Sequence, residues 1–256
     1  MNIRNQLIAT AIVHHGKWDD ILRAIETKTM PTEAETEEIC KDIKCGVLTI
    51  LDAEYPDYLK NYFKPPIVLF YYGDISLIKD NSKNIAVVGS RDPDAISLKH
   101  TDDIIKGLIK ELNVVSGLAI GIDRQAHESA INSGGKTIAV LGSGIDLCYP
   151  SDNEDIYETI KKEHLLISEH YGVEPPYKGC FPERNRLIAM FARSTLVPFA
   201  RHRSGTSITV NYTIAAGHLL FCVPSSDLDD SLCNSLIHDG AILVRNSDDI
   251  LYELNK

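Results

Sequence analysis

Five arginines, Arg184, Arg186, Arg193, Arg201 and Arg203, fall between residues 181 and 207 against a single acid, Glu183. They are half of the chain's arginines, in a protein of formal net charge -10. A guanidinium presents a planar fork of donors that matches the oxygens of a phosphate or a carboxylate. Arg184-Asn185-Arg186 follows the loop-like stretch "YKGCFPE" and is predicted to open a helix over 185–192. Cations at a helix start oppose its dipole, and a bound anion resolves the conflict. Arg201 and Arg203 lead into Ser204-Gly205-Thr206-Ser207, ahead of a helix predicted over 205–216. Small residues let backbone amides approach a ligand, and helix N-termini favour anions. Arg193, between the two groups, reads as a surface residue pairing with the protein's many acids.

Other candidate chemistry is weaker. Asp123 and His127 lie four apart on a predicted helix, the spacing of an acid/base pair. The favoured reading is structural, with Asp123 capping the helix and His127 satisfying a buried polar neighbour. Glu169-His170 follows a strand with no nucleophile nearby, and Tyr149-Pro150 reads as a turn toward the next helix. The six cysteines form no C-x-x-C pair and no Cys/His spacing typical of zinc, so buried reduced thiols and no metal are expected. Gly142-x-Gly144 lacks the third glycine of a dinucleotide fingerprint, and the G-x-x-x-x-G-K-[ST] phosphate loop is absent.

These residues need a frame, and 256 residues with 44% apolar content suffice for a substantial core. Net acidity argues against a general polyanion binder but leaves room for a local basic cleft. The opening "MNIRNQLIATAIVHHG" has Leu7, Ile8, Ala11 and Ile12 at helical spacing, which predicts an amphipathic helix rather than a signal peptide. No apolar run approaches the ~20 residues that span a bilayer. A cytoplasmic location, with no membrane association, is expected.

Residues 1 to 45 read as short helices, followed by strand-like runs at 47–51 and 67–72. From Asn84 onward, short apolar strands alternate with helices, the pattern of βαβ units and a largely parallel, doubly wound α/β sheet. Ligands bind such sheets at the carboxyl ends of the strands. There the strands run into Gly89-Ser90-Arg91, Ser116-Gly117, Gly142-Ser143-Gly144 and the 201–207 segment, which together describe a phosphate-binding rim.

The ordered set "IAVVGSR", "VSGLAIGIDRQAH", "GGKTIAVLGSGID…YP", "FPERNRLIA", "RSGTSIT" and "CNSLIHDGA" resembles the DNA-processing protein A (DprA/Smf) family over residues 47 to 245. The resemblance implies a Rossmann-like core over 46–256, behind a small N-terminal helical domain at 1–45 and without a C-terminal winged-helix domain. It implies a non-enzymatic, cofactor-free homodimer that binds single-stranded DNA and helps load a RecA-type recombinase in natural transformation. The family's anion-binding rim maps onto Gly89, Ser90, Arg91, Gly117, Arg184, Asn185, Arg186, Arg203, Ser204, Gly205, Thr206 and Ser207. Tyr149, Phe181 and Phe199 are the candidates for stacking a base.

The chain departs from the family pattern at Ile120 and Ser151, where members often carry cations. Each missing cation weakens a phosphate track by about one counterion-release unit. The family's usual Glu-Ala before "RSGTSIT" is Phe199-Ala200 here, and its later Pro-Gly is Pro224-Ser225. Two alternatives share the fold: a nucleotide-binding sensor, and a nucleoside-monophosphate hydrolase. Against hydrolysis, "RSGTSITVNYT" has Thr213 and no carboxylate four to six residues after Thr206.

Overall fold

The computed structural model describes residues 2–202, 204–227 and 230–256. Within them one sheet contains β1 (Gly46–Thr49), β2 (Val68–Gly73), β3 (Asn84–Val87), β4 (Asn113–Ser116), β5 (Thr137–Val140), β6 (Leu165–Ser168), β7 (Ser194–Val197), β8 (Leu219–Cys222) and β9 (Ile242–Leu243). Their order is β1-β2-β6-β5-β4-β3-β7-β8-β9. The strands from β3 to β9 run parallel. β2 is antiparallel to both of its neighbours. This is the α/β, largely parallel, doubly wound sheet that the sequence pattern predicts, and the Rossmann-like core that the family resemblance implies.

Every residue of β3, β5, β6 and β7 is buried. That is why these strands read as short, mostly apolar runs: helices cover both faces. One face packs against α7 (Cys180–Met190), α8 (Thr206–Ala215) and α9 (Leu232–His238) through Leu187, Phe191 and Val210. The opposite face packs against α4 (Ala95–Leu108), α5 (Ile122–Asn132) and α10 (Ser247–Leu254) through Ile105, Leu108 and Ala126. The chain winds outward from β3 through β4 and β5 to β6, then returns to β7 on the other side of β3. The direction of winding therefore reverses between β3 and β7, which opens a crevice at their carboxyl ends.

Three helices, α1 (Ile3–Val13), α2 (Trp18–Glu26) and α3 (Glu33–Cys40), occupy the first 45 residues. α3 starts with a capping box between Thr32 and Glu35. Leu7, Ile8, Ala11 and Ile21 share a core cluster with Phe70, Leu166 and α6 (Glu154–Glu163), so the helices pack directly on the sheet. Arg4 adds an ion pair with Asp52 at 2.6 Å. No helix among the described residues is long and apolar enough to cross a membrane.

Buried histidines make this core sensitive to acid. His127 is fully buried, and its Nδ1 hydrogen-bonds with Thr137 Oγ1 at 2.7 Å while Nε2 has no partner. Burial pulls its pKa from 6.5 down to about 3, and His164 and Arg184 add to the shift. Burial also lowers the pKa of His164 and His218. The unfolded chain therefore takes up these protons first, so their contribution is complete above about pH 6.5 and declines as pH falls toward 3. Urea unfolding at pH 7 and pH 4.5 is expected to show a clear loss for the wild type and a smaller one for His127→Gln. Equal losses would remove His127 as a cause.

Candidate functional site

A cleft of about 490 Å³ occupies the crevice between the carboxyl ends of β3 and β7. Its walls come from the 88–92 loop after β3, from Phe181, Arg184 and Asn185 on α7, and from Ser204, Gly205 and Thr206 at the start of α8. Most of the predicted rim is thus brought together in one place. Gly117 joins through its contact with Arg184, and Ser207 donates its hydroxyl to Ser204 O at 2.9 Å. Arg203 lies outside the described residues.

Two expectations change. α7 begins at Cys180, with Gly179 as its N-cap, so Arg184-Asn185-Arg186 lies in its second turn rather than at its start. Pro182 fits the first turn, where a helix needs no N–H from it. The two guanidiniums therefore do not sit at a helix N-terminus, and Arg184 and Arg186 point to different sides. Arg184 faces the cleft, whereas Arg186 turns away and pairs with Glu169 at 2.6 Å. The second change concerns Asp123, which is not the cap of α5. Gly121 is the N-cap, and Asp123 Oδ2 accepts from the amides of Gly117 at 3.1 Å and Ala119 at 3.4 Å.

Arg184 is only 6% exposed. Its Nη1 donates to Gly117 O at 2.6 Å and also to Val140 O, so it ties together the ends of β4 and β5. Its Nε donates to Asn185 Oδ1 at 3.1 Å. Burial lowers its pKa to about 10, with Asp123 opposing the shift, so the cation persists at neutral pH. Burial raises the Asp123 pKa, while Arg184 and the two loop amides work against that rise. Asp123 thus acts as an internal strut between the 117–119 loop and α5.

The outer part of the cleft is less satisfied. Among the described residues Ser204 Oγ and Thr206 Oγ1 are buried without a hydrogen-bond partner, both beside the N-terminus of α8. Unpaired buried hydroxyls at such a terminus suit a ligand rich in acceptors. The exposed Arg91 guanidinium lies 5.6 Å from the centre of the Phe181 ring, and Arg184 lies 5.9 Å from it. Phe181 stacks in turn with Tyr149 at 5.7 Å and 29°. Tyr149 is 47% exposed, so this aromatic pair stands next to the cationic lip. Phe199 instead carries Arg201 over its ring at 5.8 Å. Arg193 is exposed beside the amino end of β7, away from the cleft.

The supporting residues were the hardest to read from sequence. Leu118 adopts φ 57° with a fully buried side chain. Its carbonyl accepts from Asn153 Nδ2 at 2.8 Å, which helps hold this disfavoured conformation. Gly117 packs so closely that a Cβ there would meet the Arg184 guanidinium at 2.6 Å. The glycines of "SGLAIG" were a signal for such close approach. The distant Asn153 carried none.

Comparison with known proteins adds a family to this geometry. The DNA recombination-mediator protein A family model matches residues 46–255. DNA processing protein DprA of Streptococcus pneumoniae is 42% identical over 207 residues, covering 80% of this chain and 73% of that protein. Protein Smf of Synechocystis is 38% identical over 212 residues, 81% of this chain but 53% of its own length. The X-ray structure of the S. pneumoniae DNA processing protein A superposes with TM-score 0.79 at 36% identity, over 97% of this chain and 93% of that one. That coverage extends into the three N-terminal helices. DNA processing protein A from Helicobacter pylori, whose structure addresses its single-stranded DNA binding mode, superposes with TM-score 0.73 at 28% identity, over 82% and 96%.

Gly121 provides a direct test of how the rim is built. It has φ +80°, and a Cβ there would lie 2.4 Å from Ser90 O. Gly134 has a similar φ of +76° with nothing within 4 Å. Gly134→Ala is expected to cost about 1–3 kcal/mol from backbone strain alone. Gly121→Ala is expected to cost clearly more, because the Ser90–Arg91 loop must move as well. Urea midpoints compare the two, and equal losses would show that the loops are not packed to this tolerance.

Proposed function

Because the chain belongs to the DNA recombination-mediator protein A family, we infer that its cleft binds the phosphates of single-stranded DNA. One observation carries the reading: Ser204 Oγ and Thr206 Oγ1, buried without partners among the described residues, share a cleft wall with the start of α8. A phosphate lodged there would accept from both hydroxyls and gain from the helix dipole. Arg91 on the lip would neutralise the next charge along the strand, and the stacked Phe181 and Tyr149 offer a base an aromatic surface. Such binding is salt-sensitive and tolerant of sequence.

Arg184 has a different task in this reading. With Nη1 committed to two carbonyls, it fixes the cleft floor and supplies a constant positive field rather than a mobile phosphate grip. The departures at Ile120, 40% exposed, and at the exposed Ser151 leave the neighbouring surface without two cations, so the track is short. Binding without catalysis fits the residues present. Thr213 is buried and hydrogen-bonded to Thr195 at 2.7 Å, and is therefore turned away from the cleft. Self-association as a homodimer and delivery of the strand to a RecA-type recombinase complete the proposed role, in the cytoplasm of a cell that takes up DNA.

Fluorescent oligo-dT titrated at several salt concentrations tests this. Arg91→Glu is expected to weaken binding roughly tenfold or more, as losing one charge-assisted hydrogen bond would. It is also expected to flatten the log–log salt slope by about 0.7, the share of one single-strand phosphate contact. Thr206→Val is expected to weaken binding with a smaller effect on the slope. Unchanged affinity in both variants would sink the assignment of the cleft.

A further inference from the structure

Arg186 is left unexplained by a ligand in the cleft. It stands two residues beyond Arg184, about 200° round the helix, so the two side chains leave α7 on opposite sides. Behind the cleft, Arg186 lines a second cavity of about 310 Å³ between α7 and the turn that joins α1 to α2. Its Nη2 donates to Glu169 Oε1 at 2.6 Å, while Nη1 has no hydrogen-bond partner among the described residues although Arg186 is only 4% exposed. Glu169 gives that one oxygen to Arg186 and has no other hydrogen bond from its carboxylate among the described residues. A buried charged donor without a partner is costly and calls for an acceptor.

The walls indicate what kind of acceptor. Trp18 is fixed by its indole N–H, which donates to Pro65 O at 2.7 Å. Tyr177 is held edge-on against His170 at 5.8 Å, and its hydroxyl donates to Glu183. The charges lining it nearly balance, Lys17, Lys64 and Arg186 against Asp19, Asp20, Glu169 and Glu183, with Lys64 paired to Asp19 at 2.6 Å as Arg186 is to Glu169. An inorganic anion would find little net attraction here. What remains uncommitted on the buried ion pair is one donor, Arg186 Nη1, and one acceptor, the second oxygen of Glu169, in a cavity that Trp18 and Tyr177 also line.

We propose that this cavity binds a nucleoside through a lactam edge. The ring carbonyl accepts from Arg186 Nη1, the adjacent ring N–H donates to the uncommitted oxygen of Glu169, and the base packs against Trp18 and Tyr177. The volume lies at the small end of ligand pockets, suited to a base with its sugar. The site is separate from the cleft and does not depend on what the cleft binds.

Trp18 is the chain's one tryptophan, so its emission reports on this cavity. The full chain is titrated with uridine and guanosine, and with 3-methyluridine and 1-methylguanosine, which keep the carbonyl but lack the N–H. A saturable change for the first pair, at least tenfold weaker for the methylated pair, is the expected result. In Glu169→Gln the same preference is expected to disappear, with circular dichroism confirming the fold. If that variant does not fold, the comparison between parent and methylated ligands decides alone. No saturable change into the millimolar range, equal response to the methylated ligands, or an undiminished preference in folded Glu169→Gln would each overturn the proposal.

Discussion

A guanidinium removed from water has to be given acceptors, and the carboxyl edge of this sheet is organised around supplying them to Arg184. Gly117 O and Val140 O come from the ends of β4 and β5, so the cation spans two strands. For Gly117 to present its carbonyl so closely, the next residues must turn sharply, which Leu118 does at φ 57° and Gly121 at φ +80°. Asp123 holds that turn by two amides, and Asn153 holds it from the far side. The turn in turn supports the 90–91 loop, since Ile122 N donates to Ser90 O at 3.1 Å. Arg91, the exposed cation of the lip, therefore depends for its position on the buried one. Breaking a buried charge arrangement is expensive even where forming it contributes little net stability, so its value here lies in fixing one geometry.

The same constraint shows how a protein of net charge -10 can present a site for anions. Acids elsewhere are neutralised locally: Asp102 and Asp103 by lysines on α4, Asp155 by Arg124. Exposed pairs of this kind add little to stability, but they shorten the reach of the acidic field. Among the described strands the winding reverses between β3 and β7, and the neighbouring loops diverge there to leave a crevice at the carboxyl edge. Fold and charge thus favour the same location for different reasons.

The strands and the rim were legible because their causes are local. A strand covered on both faces is mostly apolar, as "IAVV", "TIAV" and "LLIS" are, and the buried hydroxyls of Thr137 and Ser168 are met by the carbonyls of Val114 and Ser143. Loops that approach a ligand must be small, and Gly89-Ser90 and Ser204-Gly205-Thr206 are. The division of labour between Arg184 and Arg186 was not legible, because it turns on where α7 begins. Taking Pro182 as part of a loop places the helix start after it, whereas Gly179 caps the helix and Pro182 lies inside its first turn. That shift rotates which residues face the cleft. The tie from Asn153 to Leu118 spans 35 residues and depends on tertiary packing that no spacing rule encodes. Asp123 misled for a related reason: an acid near a helix start usually caps it, but here Gly121 fills that role and frees the carboxylate for the preceding loop.

α7 is consequently pinned from both sides. On one face Arg184 is bonded to the ends of β4 and β5, and on the other Arg186 is bonded to Glu169 just beyond the end of β6. Leu187, Ile188 and Phe191 press the helix onto the sheet between these polar anchors. Apolar contacts alone tolerate small shifts, because they are not directional. Two buried guanidiniums with bonds of 2.6 Å to fixed partners do not, since a shift that relaxes one stretches the other. The helix that carries Phe181 and Asn185 into the cleft is therefore positioned by directional bonds. A site built to receive a flexible strand gains from such rigidity, because the ordering cost then falls on the strand alone.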